Sequence, residues 1–153
     1  MSFDLFVIAP SVDRGTAERF NGFTHPDLPQ GLKIDLEQCS EGSTFWAMTQ
    51  DGEEWLELYI DRAATQDSPN KPEAIAAHWI EIHLPSRGHP TVFYAAAALA
   101  EAAQGWVFDP QGAAAEVSLE TSEDQAAHVA HGYYTPAITR DIGNRLAAQY
   151  DWD

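Results

Sequence analysis

Seven alanines fall between Ala95 and Ala103, and short apolar runs flank them on both sides. No other feature narrows the fold as much. Alanine is the best helix former, and its small side chain lets a helix lie close to a sheet. Thr91 to Gln104 therefore predicts a helix, with Val92, Phe93 and Leu99 as its larger apolar residues. Pro90 suits the first helical turn, where its missing N–H has no partner in any case. Gly105 stands where the helix should stop, since glycine tolerates the left-handed cap. Before the helix, Ile80, Ile82 and Leu84 alternate with Trp79, Glu81 and His83. That period of two predicts a strand with one face in the core. Pro85 and Ser86-Arg87-Gly88 end it. After the helix, Trp106-Val107-Phe108 predicts a short buried strand, ended by Asp109-Pro110-Gln111-Gly112. The unit from Ala77 to Gln111 thus reads strand, loop, helix, strand.

The remaining chain supplies partners for that unit. Phe3, Leu5 and Val7 alternate with Asp4, Phe6 and Ile8, and apolar residues on both sides predict a central strand. Ser11 is a candidate cap for a short helix running to about Phe20. Gly22, Pro26, Pro29 and Gly31 mark a loop. Thr44 to Thr49 and Glu53 to Asp61 predict a hairpin around Gln50-Asp51-Gly52, because Asp-Gly favours a tight turn. Leu56, Leu58 and Ile60 of the return strand should point inward. Ala115, Val117 and Leu119 alternate with Glu116, Ser118 and Glu120, the pattern of an edge strand. Thr121-Ser122-Glu123-Asp124 reads as a capping box before a short alanine-rich helix ending at Gly132. Thr135-Pro136 opens a last helix, whose Ile138, Ile142 and Leu146 form an apolar stripe. Strands and helices in this order predict a single α+β domain over residues 1–153. We expect an antiparallel or mixed sheet with helices mainly on one face, as a ferredoxin-like core with additions.

Charge narrows the choice of partner. The 153 residues carry 24 acids against 8 bases, a formal charge of −16. Such a field repels nucleic acid and anionic membranes and attracts basic partners. No apolar run reaches the ~18 residues of a membrane-spanning helix. The opening MSFDLFVIAP has an acid and no base, so it reads as a strand and not as an export signal. Cys39 is alone, which excludes an internal disulfide. These features fit a cytoplasmic protein, monomeric when free.

No P-loop, GxGxxG, GxSxG or HExxH pattern is present. His128 and His131 are three apart near Asp124, a spacing that brings two ligands to one metal, but a stable site needs a third. Cys39 has no assignable histidine partner. Asp109 follows an apolar strand and invites an acid–base role, although an Asp before Pro is ordinarily a turn residue. Eight bases without a cluster, and no glycine loop, argue against nucleic-acid and nucleotide binding. The sequence assigns no catalytic residue, no metal ligand and no cofactor, and the expectation is a non-enzyme.

What remains is a surface. Glu53, Trp55, Glu57, Tyr59 and Asp61 alternate acid with aromatic on the outward side of one strand. Trp79, Glu81 and His83 would continue that surface if the two strands are neighbours. Aromatic anchors within a charged rim are what protein interfaces use. The competing expectation is that the C-terminal helix covers this face, with Ile138, Ile142 and Leu146 over Trp55 and Trp79. Glu57 and Glu81 would then need Arg140 or Arg145 as partners.

SFDLFVIAP at the start, GWVFDPQG later and the alanine-rich helix before it are a combination that resembles a group of small bacterial immunity proteins. Those proteins are encoded beside polymorphic or secreted toxins, including nuclease and deaminase toxins. The likeness covers about residues 2–10 and 90–112. It implies a cytoplasmic inhibitor that binds a cognate, basic toxin domain and blocks its active site. It carries over no catalytic residue. Two other readings stay open: an acidic adaptor or scaffold, and a small metal-dependent enzyme using His128 and His131.

Overall fold

The computed structural model describes residues 4–10, 14–22, 28, 31–34, 44–62, 72, 80–84, 91–117 and 123–149, with backbone only at 44–47, 54–57, 61, 62, 116 and 124. Twelve elements follow one another in these residues. They are β1 (Leu5–Ala9), α1 (Arg14–Asn21), β2 (Lys33–Ile34), β3 (Thr44–Met48), β4 (Glu54–Arg62) and β5 (Ile80–Leu84). Then come α2 (Thr91–Ala103), β6 (Trp106–Phe108), a 3-10 turn (Ala113–Glu116), α3 (Glu123–Ala130), β7 (Tyr133–Tyr134) and α4 (Pro136–Gln149). Trp79, Cys39, Ser11, Pro90 and the loop expected over most of 21–31 fall wholly or largely outside the described residues.

The strands form one seven-stranded antiparallel sheet in the order β2-β3-β4-β5-β1-β6-β7. Four consecutive strands within it run β6-β1-β5-β4. With α1 between β1 and β4, and α2 between β5 and β6, this is the β-α-β-β-α-β arrangement of a ferredoxin-like core. The additions are β2 and β3 beyond β4, and β7, α3 and α4 beyond β6.

Parity along each strand decides which residues meet the helices. Val7, Ile82, Ile60, Val107 and Tyr134 lie in one row across five strands and join one apolar cluster with Phe93, Leu99, Phe20 and Ile142. Helices α1, α2 and α4 therefore share one face of the sheet. In α2 every residue but Thr91 and Glu101 is buried. A helix apolar on all sides needs cover on all sides, and α2 has the sheet beneath it with α1 and α4 packed against it. Small residues make the close approach possible. A Cβ on Gly143 of α4 would come within 3.0 Å of the Phe93 Cβ. Arg19 of α1 donates its Nε–H to the Ala102 carbonyl at 2.7 Å, occupying one of the acceptors a helix leaves open at its C-terminus. Asn21 bonds the backbone of Ile34 in both directions, at 2.9 and 3.4 Å, and so tethers the short edge strand β2 to α1.

The hairpin forms as its Asp-Gly signal predicts, with Gly52 at φ 82° in its turn. Other expectations need correction. The helix stop is a Schellman motif in which Gln104, not Gly105, takes the left-handed conformation, at φ 59°. The Gly105 N–H donates to the Ala100 carbonyl at 2.8 Å and the Gln104 N–H to Glu101 at 3.3 Å. Gly105 is needed for another reason: a Cβ there would lie 2.2 Å from the Ile8 carbonyl oxygen. Of the edge strand expected over Ala115 to Glu120, Ala115 and Glu116 lie in the 3-10 turn at Ala113–Glu116, residues 118–120 lie outside the described residues, and β7 forms the edge beyond β6. Trp106 and Phe108 are only partly buried, because one face of β6 lies away from the three helices.

Candidate functional site

The open face of the sheet carries the candidate site. Backbone pairing lines up Tyr59 of β4, His83 of β5, Phe6 of β1, Phe108 of β6 and Tyr133 of β7. Residues in register on adjacent strands are ~5 Å apart and point the same way. All five positions carry a ring, so an aromatic row crosses the sheet. Phe6 and His83 stack with centroids 4.6 Å apart and planes 12° from parallel. Phe6 meets Phe108 at 6.2 Å, and Phe108 meets Tyr133 at 4.9 Å. Tyr59 is 38% exposed, the largest value for a bulky apolar side chain among the described residues. His83, Phe6 and Phe108 are partly exposed, and Tyr133 closes the row fully buried. The next row pairs Asp61, Glu81, Ile8 and Trp106. Helix α3 roofs its far corner, with the His128 ring edge-on to Trp106 at 5.5 Å.

Two polar atoms of described residues on this face, the buried His83 Nε2 and Tyr133 hydroxyl, lack a hydrogen-bond partner. Such groups are uncommon in folded proteins and each calls for a physical reason. Asp4, of the same parity as Phe6, places Oδ1 3.5 Å from His83 Nε2, an ion-pair distance without hydrogen-bond geometry. Its backbone N–H donates to Gln111 Oε1 at 3.3 Å, which fixes Asp4 beside the turn after β6.

The residues expected from sequence fall out unevenly. Tyr59 and His83 are brought together on neighbouring strands, as the interface reading requires. Glu53 is exposed at the hairpin end. Glu81 is only 8% exposed, so it does not present a free outward carboxylate. The regular alternation from Glu53 to Asp61 is interrupted, because Ala47 pairs with Leu56 while Met48 pairs with Glu54, a bulge that skips Trp55. The side chains of Trp55, Glu57 and Asp61, and all of Trp79, lie outside the described residues. The C-terminal helix does not cover this face. Ile138, Ile142 and Leu146 sit in the cluster on the opposite side, against α2. On that side Arg140 pairs with Glu101, and Arg145 with Asp141 at 3.1 Å. Sequence reading missed Asp4, Phe6 and Phe108. Their parity was visible, but only strand order puts them beside His83.

Asp109 has a structural task. It is 1% exposed, and its carboxylate accepts from the Gln111 N–H at 3.0 Å, the Ala113 N–H at 2.8 Å and the Tyr134 hydroxyl at 2.9 Å. Burial, followed by the nearby Asp109 charge, pushes Tyr134 ionisation well above the usual phenol range. Asp109 thus anchors the Asp-Pro-Gln-Gly turn and the 3-10 turn after it, while Gln111 ties that turn to β1. Both strings behind the family resemblance, SFDLFVIAP and GWVFDPQG, are in this way joined in space by the fold. His131 is exposed and His128 is engaged with Trp106. Among the described residues no three His, Cys, Asp or Glu side chains gather to hold a metal ion, and no helix is long and apolar enough to cross a membrane.

No family model, curated protein or solved structure matches the chain.

Proposed function

We propose that this chain is an immunity-type inhibitor, a non-enzymatic acidic domain that binds a basic toxin domain across the open face of its sheet. The observation that supports this most is the partly exposed row Tyr59, His83, Phe6 and Phe108 on a sheet face that α1, α2 and α4 leave free. A partly exposed aromatic row on a sheet face is the kind of patch that marks an interaction surface. The formal charge of −16 supplies the second half of the reading, since it steers a basic partner toward the domain. The toxin's active site, of nuclease or deaminase type, would be cationic because it handles nucleic acid, and an acidic domain seated on it excludes the substrate.

A second reading has one observation in its favour. Aromatic residues on the central strands of such a sheet are also how some domains stack RNA bases. The same charge weighs against it, because phosphates would have to approach 24 acids with 8 bases to receive them.

The test is co-expression with the product of a neighbouring gene, in cells that the product alone kills. Growth should be restored, and the two proteins should co-purify. Association measured at rising salt should slow, because steering is screened. No rescue and no complex would sink the reading.

A further inference from the structure

We infer that the Asn21–Gly22 peptide is a self-modification site whose reaction unplugs the outer edge of the sheet. Asn21–Gly22 is the one Asn-Gly pair in the sequence, and it falls at the C-terminus of α1. Beside it stands β2, the two-residue strand at one end of the sheet. Asn21 Oδ1 accepts the Ile34 N–H at 2.9 Å, and Asn21 Nδ2–H donates to the Ile34 carbonyl at 3.4 Å. One side-chain amide thus serves both backbone groups of an edge residue, as the next strand of a ladder would. An edge strand with open backbone groups is a template for pairing with another chain, and natural sheets cover it. Here a side chain is part of the cover, and that side chain is chemically labile.

The lability comes from the glycine. With no Cβ to crowd it and a permissive backbone, the Gly22 nitrogen can reach and attack Asn21 Cγ. A bond forms between that nitrogen and Cγ, the Cγ–Nδ2 bond breaks, and Nδ2 leaves as ammonia with the proton that Gly22 gives up. The product is a cyclic succinimide, which water then opens. Breaking the new bond to Cγ gives aspartate. Breaking the bond from Gly22 nitrogen to the Asn21 backbone carbonyl carbon gives isoaspartate, with the main chain rerouted through Cγ. The sum is amide plus water to acid plus ammonia, with no change of oxidation state. The fold holds this reaction back. The Gly22 N–H is shared between the Glu18 and Arg19 carbonyls at 3.2 and 3.3 Å, while Ile34 holds the side-chain amide. Fraying of the last turn of α1 releases both groups, so that opening sets the pace. The product cannot restore the plug. Aspartate puts a second acceptor where Nδ2–H stood, against the Ile34 carbonyl, and adds negative charge at a helix C-terminus.

The experiment ages the purified full chain in heavy-oxygen water at mildly alkaline pH and maps its peptides by mass spectrometry. The oxygen label and the loss of ammonia should appear at Asn21 ahead of Asn70 and Asn144. Urea well below the unfolding transition should speed the reaction, because it frays α1. Gly22→Ala should slow it several-fold and still fold, since a Cβ there meets only the Glu18 and Arg19 carbonyl oxygens, at 3.6 Å, an ordinary contact. The structural consequence is read separately. In Asn21→Asp, and in the aged wild type, hydrogen exchange at the Ile34 amide should rise by about fivefold, the equivalent of one intramolecular hydrogen bond. The Leu99 amide, inside α2, should stay as it was. Modification first at Asn70 or Asn144 would overturn the proposal. So would an ageing rate that Gly22→Ala or urea leaves unchanged, or an Ile34 amide indifferent to Asn21→Asp. Should Asn21→Asp fail to fold, the aged wild type supplies the same comparison.

Discussion

The two faces of this sheet are made by alternate residues of the same strands, and they follow different rules. On the covered face, Leu5, Val7, Ile82 and Val107 are fully buried against α2, whose alanines allow near contact of helix and sheet. Polar groups there are paired: Tyr94 donates to Asn144 at 2.7 Å, Arg19 to Ala102, and Tyr134 to Asp109. On the open face one residue further along, Tyr59, His83, Phe6 and Phe108 form a partly exposed row of rings, and His83 Nε2 and the Tyr133 hydroxyl are buried without a partner. A face made only for stability would be aliphatic and satisfied. The contrast teaches that residue position along one strand separates a face packed under helices from a partly exposed one, with a period of two as the divider.

The largest effect should come from the covered face. Phe93→Ala empties a side chain with 0% exposure between sheet and α4. It should cost about 3–5 kcal/mol in urea-induced unfolding. A loss below about 1 kcal/mol would mean that this face is not the core and would break the comparison.

A middle-sized effect should come from the buried pair that ties the turn after β6. Tyr134→Phe takes one of three donors from the buried Asp109 carboxylate and should cost about 1–3 kcal/mol at neutral pH. The pH dependence has a definite sign. Burial raises Tyr134 ionisation above its ordinary value of 10.0, so the folded chain keeps a proton that the unfolded chain releases. That contribution is present in full below pH 10.0 and is lost as pH rises beyond it. Thermal unfolding in alkali should therefore show wild type losing stability faster than Tyr134→Phe, with the gap between them closing. Parallel curves above that pH would place Tyr134 in a more solvated setting than the fold describes.

The smallest effect on stability should come from the rim of the open face, where it sharpens the contrast most. Tyr59→Ala should change unfolding by no more than about 0.5 kcal/mol, because the ring is 38% exposed. Partner binding should nevertheless fall by about 2 kcal/mol or more, mainly through faster release, if the ring is an anchor. Paired calorimetry of the free variant and kinetics of the complex would read both. Lost stability with unchanged binding would move Tyr59 to the structural side.

Much of this architecture is legible without coordinates. The alanine run could only be a helix packed closely on a sheet, and it is. Asp51-Gly52 between alternating runs could only be a hairpin, and Ile82 with Leu84 had to face inward once Pro85 ended their strand. These are local facts: propensity, period and turn chemistry act within a few residues. The misreadings are of another kind. Gln104 accepts the left-handed cap because Gly105 is required against the Ile8 carbonyl, a contact with a strand about a hundred residues earlier in the chain. β7 is two residues long and is held by pairing to β6, so it has no period of its own to detect. The bulge at Trp55 reflects how β4 pairs with β3, and its own alternation hides it. The aromatic row likewise belongs to no single stretch. Tyr59, His83, Phe6 and Phe108 each sit in a separate strand, and only the order β4-β5-β1-β6 sets them side by side. The sequence by itself determined which residues could be buried, since burial follows from hydrophobicity and parity. Tertiary structure alone decided which outward residues became neighbours, because strand order is set by the packing of the whole core and leaves no mark on any one segment.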